Sequence, residues 1–345
     1  EGQSTGGKCL CNIRDGRYIR EGQSTGGRQL IKIQDAAKVI YKVMQPTPEL
    51  VWPLLSEFSG AEVWVKHENF TPIGAFKLRG GLTYLDFISK NPEIKKIITA
   101  TRGNHGQSIA FSATLYGIEA EIIVPNGNSS IKNSAIKNYG AKLIEHGKDF
   151  QDALEYAESK AKQTNIHLIP SYHRLLVAGV ATYALEFFIA AKNLDTIYVP
   201  IGLGSGICGV ISVRDAMGLK TRIVGVVSKN APAYANSFKS KRMVSTKHAD
   251  TIADGLACRM PNAEAFEHIM AGVERIITVS ETDIINAIGT YFSYTKNVAE
   301  GAAAAALAAL LQEKPRIKGK KIGLILSGSN IEPNLYKNSL NLLNS

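Results

Sequence analysis

The residue best suited to covalent chemistry is Lys77, set in Gly74-Ala75-Phe76-Lys77-Leu78-Arg79-Gly80-Gly81. Gly, Ala and Phe on one side and Gly-Gly on the other leave room for a flat ligand beside the amine. A lysine desolvated in such a setting has a lowered pKa and attacks a carbonyl carbon. Read alone, the same residue is a solvated charge, as most lysines are. Three Gly/Ser-rich turns, at 101–107, 202–209 and 327–330, give it company. Each follows a strand-like run and precedes a helix-like one. In an open parallel sheet, ligands bind beyond the carboxyl ends of the strands, so such turns converge on one crevice.

In the first turn, Thr101-Arg102-Gly103-Asn104-His105-Gly106-Gln107, N–H groups at a helix start offer a seat for a carboxylate. An ordinary capped turn uses the same residues. His105 is tempting as a general base, but a histidine beside a glycine turn more often satisfies local hydrogen bonds, and no proton transfer is assigned to it. The second turn, Gly202-Leu203-Gly204-Ser205-Gly206-Ile207-Cys208-Gly209, lets the backbone wrap a phosphate ahead of a helix. It also satisfies the G-x-G-x-x-G dinucleotide pattern, which requires a carboxylate about 20 residues on. The next strand ends Val226-Val227-Ser228-Lys229-Asn230, without an acid. No Gly-Lys-Ser/Thr follows either, so a P-loop is excluded. The third turn, Ser327-Gly328-Ser329-Asn330, read alone is only a turn.

Strands predicted at 62–67, 96–100, 120–124, 141–145, 167–169, 196–201, 221–227, 275–279 and 321–326 position these turns. Helices are predicted at 34–44, 76–88, 106–117, 130–139, 150–163, 177–191, 207–217, 231–240, 263–271, 281–295 and 299–312. Such alternation, with β-branched strands, implies α/β architecture with parallel sheets covered on both faces. The length of 345 residues suggests two domains.

In this order the motifs resemble the fold-type II pyridoxal-phosphate enzymes, in their serine/threonine dehydratase branch, over about residues 30 to 335. The resemblance implies the two-domain, parallel-sheet fold of the tryptophan synthase β-subunit. A large cofactor domain is expected over 29–94 and 173–345, and a small domain over 95–172. It implies that Lys77 holds pyridoxal 5'-phosphate and moves the substrate's α-proton. Phe76, Asn104, Gly202, Leu203, Gly204, Ser205, Gly206, Glu300 and Ser327 are the implied cofactor-binding residues, and Thr101, Arg102, Gly103, Asn104 and His105 the substrate-binding ones. Leu203 and Ser205 replace two of the usual glycines, which is tolerable only where φ stays negative. Glu300, in Ala299-Glu300-Gly301-Ala302, reads equally as an acid at a helix start. Ser327 would face the pyridine nitrogen with a neutral hydroxyl, favouring β-elimination over transamination. Arg102 departs from the family's Ser, Thr or Ala and cannot serve as the second proton acceptor of racemases. Its guanidinium either turns to solvent or recognises an additional substrate carboxylate. Ser228-Lys229-Asn230-Ala231-Pro232-Ala233 lacks the acids of the racemase metal site, so no metal is expected. The implied reaction takes L-threonine or L-serine to a 2-oxo acid and ammonia. The alternatives are a lyase for another β-substituted or hydroxyaspartate-like amino acid, or a cofactor-binding protein without activity. Fold relatives suggest a homodimer or larger homo-oligomer.

Composition narrows the classes further. The net charge of +10 is spread over helix faces without interleaved aromatics, against nucleic-acid binding. The longest apolar stretch, Ala302 to Leu311, is too short to span a bilayer, so no membrane partner is expected. Four cysteines without a disulfide or zinc spacing fit a reducing, cytoplasmic setting. Glu1 to Gly7 recurs identically as Glu21 to Gly27. Two copies do not make a solenoid, and 1–28 is expected to be an extension outside the fold.

Overall fold

The computed structural model describes residues 25–342. Ten strands run in chain order: β1 Glu49–Val51, β2 Glu62–His67, β3 Lys96–Ala100, β4 Glu119–Val124, β5 Lys142–Glu145, β6 His167–Leu168, β7 Thr196–Pro200, β8 Arg222–Ser228, β9 Arg275–Val279 and β10 Lys321–Leu326. Among the described residues they form two sheets, in the orders β1-β2-β10-β7-β8-β9 and β5-β4-β3-β6. Every pairing is parallel except β1 with β2. That antiparallel edge departs from the all-parallel expectation. Three residues of half-exposed strand ahead of Pro53 carry too little pattern to announce themselves.

Strands β8 and β10 are buried along nearly their whole length, which unbroken apolar runs require when both faces are covered. One face of the six-stranded sheet packs on Arg174–Ala190, a helix apolar almost all round. The other receives Gly301–Gln312, whose run of alanines is buried from Gly301 to Leu310 and lets helix and sheet approach closely. Ile97, Ile122 and Val124 cover one face of the smaller sheet, and Ile98, Ala100 and Ile123 meet Ala153, Ala157 and Ala161 on the other. Helix Lys77–Ile88 serves both regions. Leu78 and Leu82 pack with Ile40 and Ile73, whereas Tyr84, Leu85 and Ile88 enter the core of the smaller sheet.

Helix Thr25–Ile40 begins earlier than expected and takes in the end of the extension read at 1–28; Cys9, Cys11 and the first repeat copy lie outside the described residues. Helices Pro53–Ser59 and Pro333–Asn341, each with proline in the first turn, are absent from the sequence reading.

Beneath Lys77 lies a buried ionic cluster. Arg79 donates from Nε and Nη2 to Glu68 at 2.7 and 2.8 Å, and from Nη1 and Nη2 to Glu186 at 2.6 and 2.8 Å. Lys66 reaches Glu186 and Glu49, both at 2.5 Å, and Tyr41 Oη donates to Glu186 at 2.8 Å. Burial would raise the Glu186 carboxyl, but Arg79 and Lys66 outweigh it and hold the group below the ordinary carboxylate range. Removing one member strands its partners in a dry site. Glu186→Ala should therefore cost about 3 kcal/mol or more in urea unfolding. Asp35→Ala, which breaks an exposed pair with Lys38, should cost about 0.5 kcal/mol.

Candidate active site

Three neighbouring strands deliver the chemistry. β2, β10 and β7 lie side by side, and their carboxyl ends lead to the Lys77 segment, the Ser327 turn and the glycine-rich loop. Backbone bonds knit the first two, Phe76 N to Ser327 O at 3.0 Å and Ser329 N to Gly74 O at 2.9 Å. The fourth piece, Thr101 to Asn104, comes from β3 in the smaller sheet.

Lys77 starts its helix, and its Nζ donates to Ser205 Oγ at 3.0 Å across 128 positions of chain. Desolvation brings its pKa down to about 8. The amine is thus largely available as a nucleophile at mildly alkaline pH, unlike an exposed lysine. The Phe76 ring lies 5.2 Å from Nζ.

The glycine-rich loop is a backbone cradle. A Cβ on Gly202 would stand 2.1 Å from the Gly255 carbonyl oxygen, and Gly204 adopts φ +105°, which side chains disfavour. Leu203 and Ser205 are absent from the positive-φ residues, as their side chains demand. Tyr234 Oη donates to the Leu203 carbonyl at 2.9 Å and Tyr183 Oη to that of Gly206 at 3.0 Å. The carbonyls are thus tied back, and helix Ser205–Ala216 begins at the loop with its N–H groups unpaired within the helix.

Asn104 is fixed on both sides. Its Nδ2 donates to Glu300 Oε1 and Oε2 at 2.8 and 3.0 Å, and its Oδ1 accepts from Asn330 Nδ2 at 2.8 Å. Burial raises the pKa of Glu300, with Lys132 and Asn104 opposing. Glu300 also donates its backbone N–H to Gly328 O at 3.0 Å, which brings the helix start against the Ser327 turn. Ser327 is buried there. Thr101 Oγ1 accepts from Gly103 N and Gly106 N and shapes the loop.

His105 turns its ring to Thr99, Nε2 to Oγ1 3.3 Å, and desolvation pushes its pKa down to about 3, with Lys77 adding to the effect. Any part in substrate binding falls to its backbone N–H. Arg102 is partly exposed and turns toward Asp254. The sequence gives no mark of Lys132, Tyr183 or Tyr234, because nothing local relates them to the turns. Asn330 lies in the Ser327 turn, and its position there is the only available signal. At the opposite ends of β7, β8 and β9, a pocket lined by Thr196, Arg222, Glu274, Arg275, Arg316 and Lys320 has its guanidinium groups paired with Glu274 and Glu313.

A family model for "Pyridoxal-phosphate dependent enzyme" matches residues 40–328. The chain belongs to the pyridoxal-phosphate-dependent enzymes. It is 31% identical over 310 residues to the L-threonine ammonia-lyase of Thermotoga maritima, covering 89% of this chain and 77% of that one. It is also 31% identical over 303 residues to the L-threo-3-hydroxyaspartate ammonia-lyase of Saccharomyces cerevisiae, covering 88% and 93%. The structure of the processed form of threonine deaminase isoform 2 from Solanum lycopersicum superposes with a TM-score of 0.86 at 25% identity, covering 94% and 95%. The cofactor of this family fits the residues present. The cradle would admit no Cβ at Gly202, the helix that starts at Ser205 offers free N–H groups that a phosphate would need, and a desolvated amine stands 3.0 Å from that helix's first side chain.

The amine of Lys77 should titrate near pH 8 in the cofactor-stripped protein. Reductive methylation with formaldehyde, followed by peptide mapping, should show its labelling rise as pH passes through about 8, where exposed lysines still lag. A midpoint near 10 would refute the desolvation.

Proposed function

We propose that this chain is a pyridoxal-phosphate-dependent dehydratase and deaminase that converts L-threonine or L-serine to a 2-oxo acid and ammonia. The observation that carries the reading is the meeting of a desolvated Lys77, a glycine cradle and an oriented Asn104 at the carboxyl ends of the strands. The similarity to ammonia-lyases over most of the chain supports it.

When bound, pyridoxal phosphate supplies a conjugated ring that takes up the negative charge left at the substrate's Cα. Lys77 Nζ would be the covalent attachment point and would take up the substrate's Cα proton. The backbone of residues 202–206, Ser205 Oγ and the helix that starts there would hold its phosphate, and Phe76 would border its ring. Asn104, oriented by Glu300 and Asn330, would take its ring hydroxyl. N–H groups of residues 103–105 seat the α-carboxylate. Ser327 would meet the ring nitrogen with a neutral hydroxyl and would leave that nitrogen less proton-bound than an aspartate would. The weaker sink favours loss of the β-hydroxyl over transamination.

The separation into two sheets supports a division into 29–94 with 173–345 and 95–172. A homodimer or larger homo-oligomer is supported by exposed Leu54 on helix Pro53–Ser59, which packs against helix Glu281–Thr295, the carrier of exposed Phe292. Cys208 and Cys258, both free and buried, suit a cytoplasmic setting.

Lys77→Ala should abolish oxo-acid release from threonine and the cofactor's absorbance near 410 nm; the wavelength is about that of a lysine-bound pyridoxal. Borohydride reduction of the loaded wild type should fix the cofactor on Lys77 alone, and label on another lysine defeats the assignment. Ser327→Asp should raise transamination relative to elimination, measured as pyridoxamine phosphate formed per oxo acid released. An unchanged ratio means that Ser327 does not touch the ring.

A further inference from the structure

Arg102, the residue before Gly103 in the turn after β3, leaves a cation incompletely neutralised at the edge of the site. Its Nη2 stands 3.9 Å from Asp254 Oδ1, beyond hydrogen-bond reach, and its Nε is buried without a hydrogen-bond partner. Asp254 is held instead by Lys132, Nζ to Oδ2 at 2.7 Å. Lys132 is itself buried and reaches this point across Gly103, where a Cβ would stand 2.7 Å from its Cδ. Two cations therefore share one carboxylate, and the other acid nearby, Glu300, is occupied by Asn104.

The location matters as much as the charge. Arg102 and Lys132 flank the Gly103-Asn104 helix start, the proposed seat of the α-carboxylate. Asp254 adjoins Gly255, whose carbonyl closes on Gly202 of the cradle. The methyl group of threonine offers such a pair nothing. A planar guanidinium binds a carboxylate through two parallel hydrogen bonds, which the long contact with Asp254 does not use.

We propose that Arg102, backed by Lys132, forms a subsite for a second substrate carboxylate, so that the site accepts β-hydroxy dicarboxylic amino acids of the 3-hydroxyaspartate class. This rests on the elimination reading above. Asp254 balances the subsite until substrate arrives. The α-hydrogen and β-hydroxyl leave as water, and the resulting enamine tautomerises to an imine. Water then hydrolyses the imine to a four-carbon oxo diacid and ammonia, with no net oxidation.

The test compares kcat/KM for L-threo-3-hydroxyaspartate and L-threonine in the cofactor-loaded wild type, Arg102→Ser and Asp254→Asn. Wild type should turn over the dicarboxylate at least as well as threonine. Arg102→Ser should lower the ratio of dicarboxylate to threonine tenfold or more, whereas Asp254→Asn, which removes the competing anion, should raise it. Opposite signs are not expected from a contact that merely latches the two sheets together. A ratio unmoved by both variants, or moved the same way by both, overturns the subsite. If the wild type releases oxo acid from neither substrate, the elimination reading fails and the subsite is judged by calorimetry with malonate. Binding tenfold weaker in Arg102→Ser then supports it, and equal binding overturns it.

Discussion

The burial of Arg79 is the constraint on which the rest of this structure depends. A guanidinium with no solvent contact must have its donors satisfied and its charge matched, and Glu68 and Glu186 do both. Glu68 follows β2, Arg79 sits in the first turn of the Lys77 helix, and Glu186 lies on the long helix under the large sheet. One side chain therefore fixes three elements at a point two residues from Lys77. A lysine at a helix start would otherwise turn to water. Here the backbone that carries it is held in register with β10 and the Ser327 turn.

The site works because the same packing withholds water from some polar groups and aligns others. Lys77 loses solvent and its pKa falls; Glu300 loses solvent and its pKa rises. The opposite signs follow from one cause, since desolvation disfavours whichever form is charged. Close backbone approach does comparable work in the glycine-rich loop, where Gly202 and Gly255 meet without room for a side chain. At Gly103 the missing side chain lets Lys132 pass beneath the loop toward Asp254. Glycine at these positions is a packing requirement as much as a conformational one.

Much of this was legible in the chain. Nine of the strands, and the turns that follow β2, β3, β7 and β10, announce themselves because β-branched runs bounded by Gly and Ser carry a strong local signal. The NAD alternative at 204–209 falls on a local fact too, the lack of an acid after β8. The antiparallel edge β1 escaped because three residues beside a proline carry no periodicity. His105 is a different case, because its hydrogen-bonding role was legible but its partner was not. Its sequence neighbours point to a turn, but the distance to Thr99 and the loss of water that depresses its pKa come from packing across β3.

By itself the sequence determined the order of the nine strands from β2 to β10, their parallel character, the lysine and the turns that could meet it, since each is written in a short window of residue types. The tertiary structure alone decided how those windows bear on one another. It set Lys77 beside Ser205, closed Asn104 between Glu300 and Asn330, and left Arg102 near an aspartate already claimed by Lys132. The physical reason is that desolvation and charge balance are sums over neighbours in space. Those neighbours lie more than a hundred residues apart along the chain, where no local pattern records their distance.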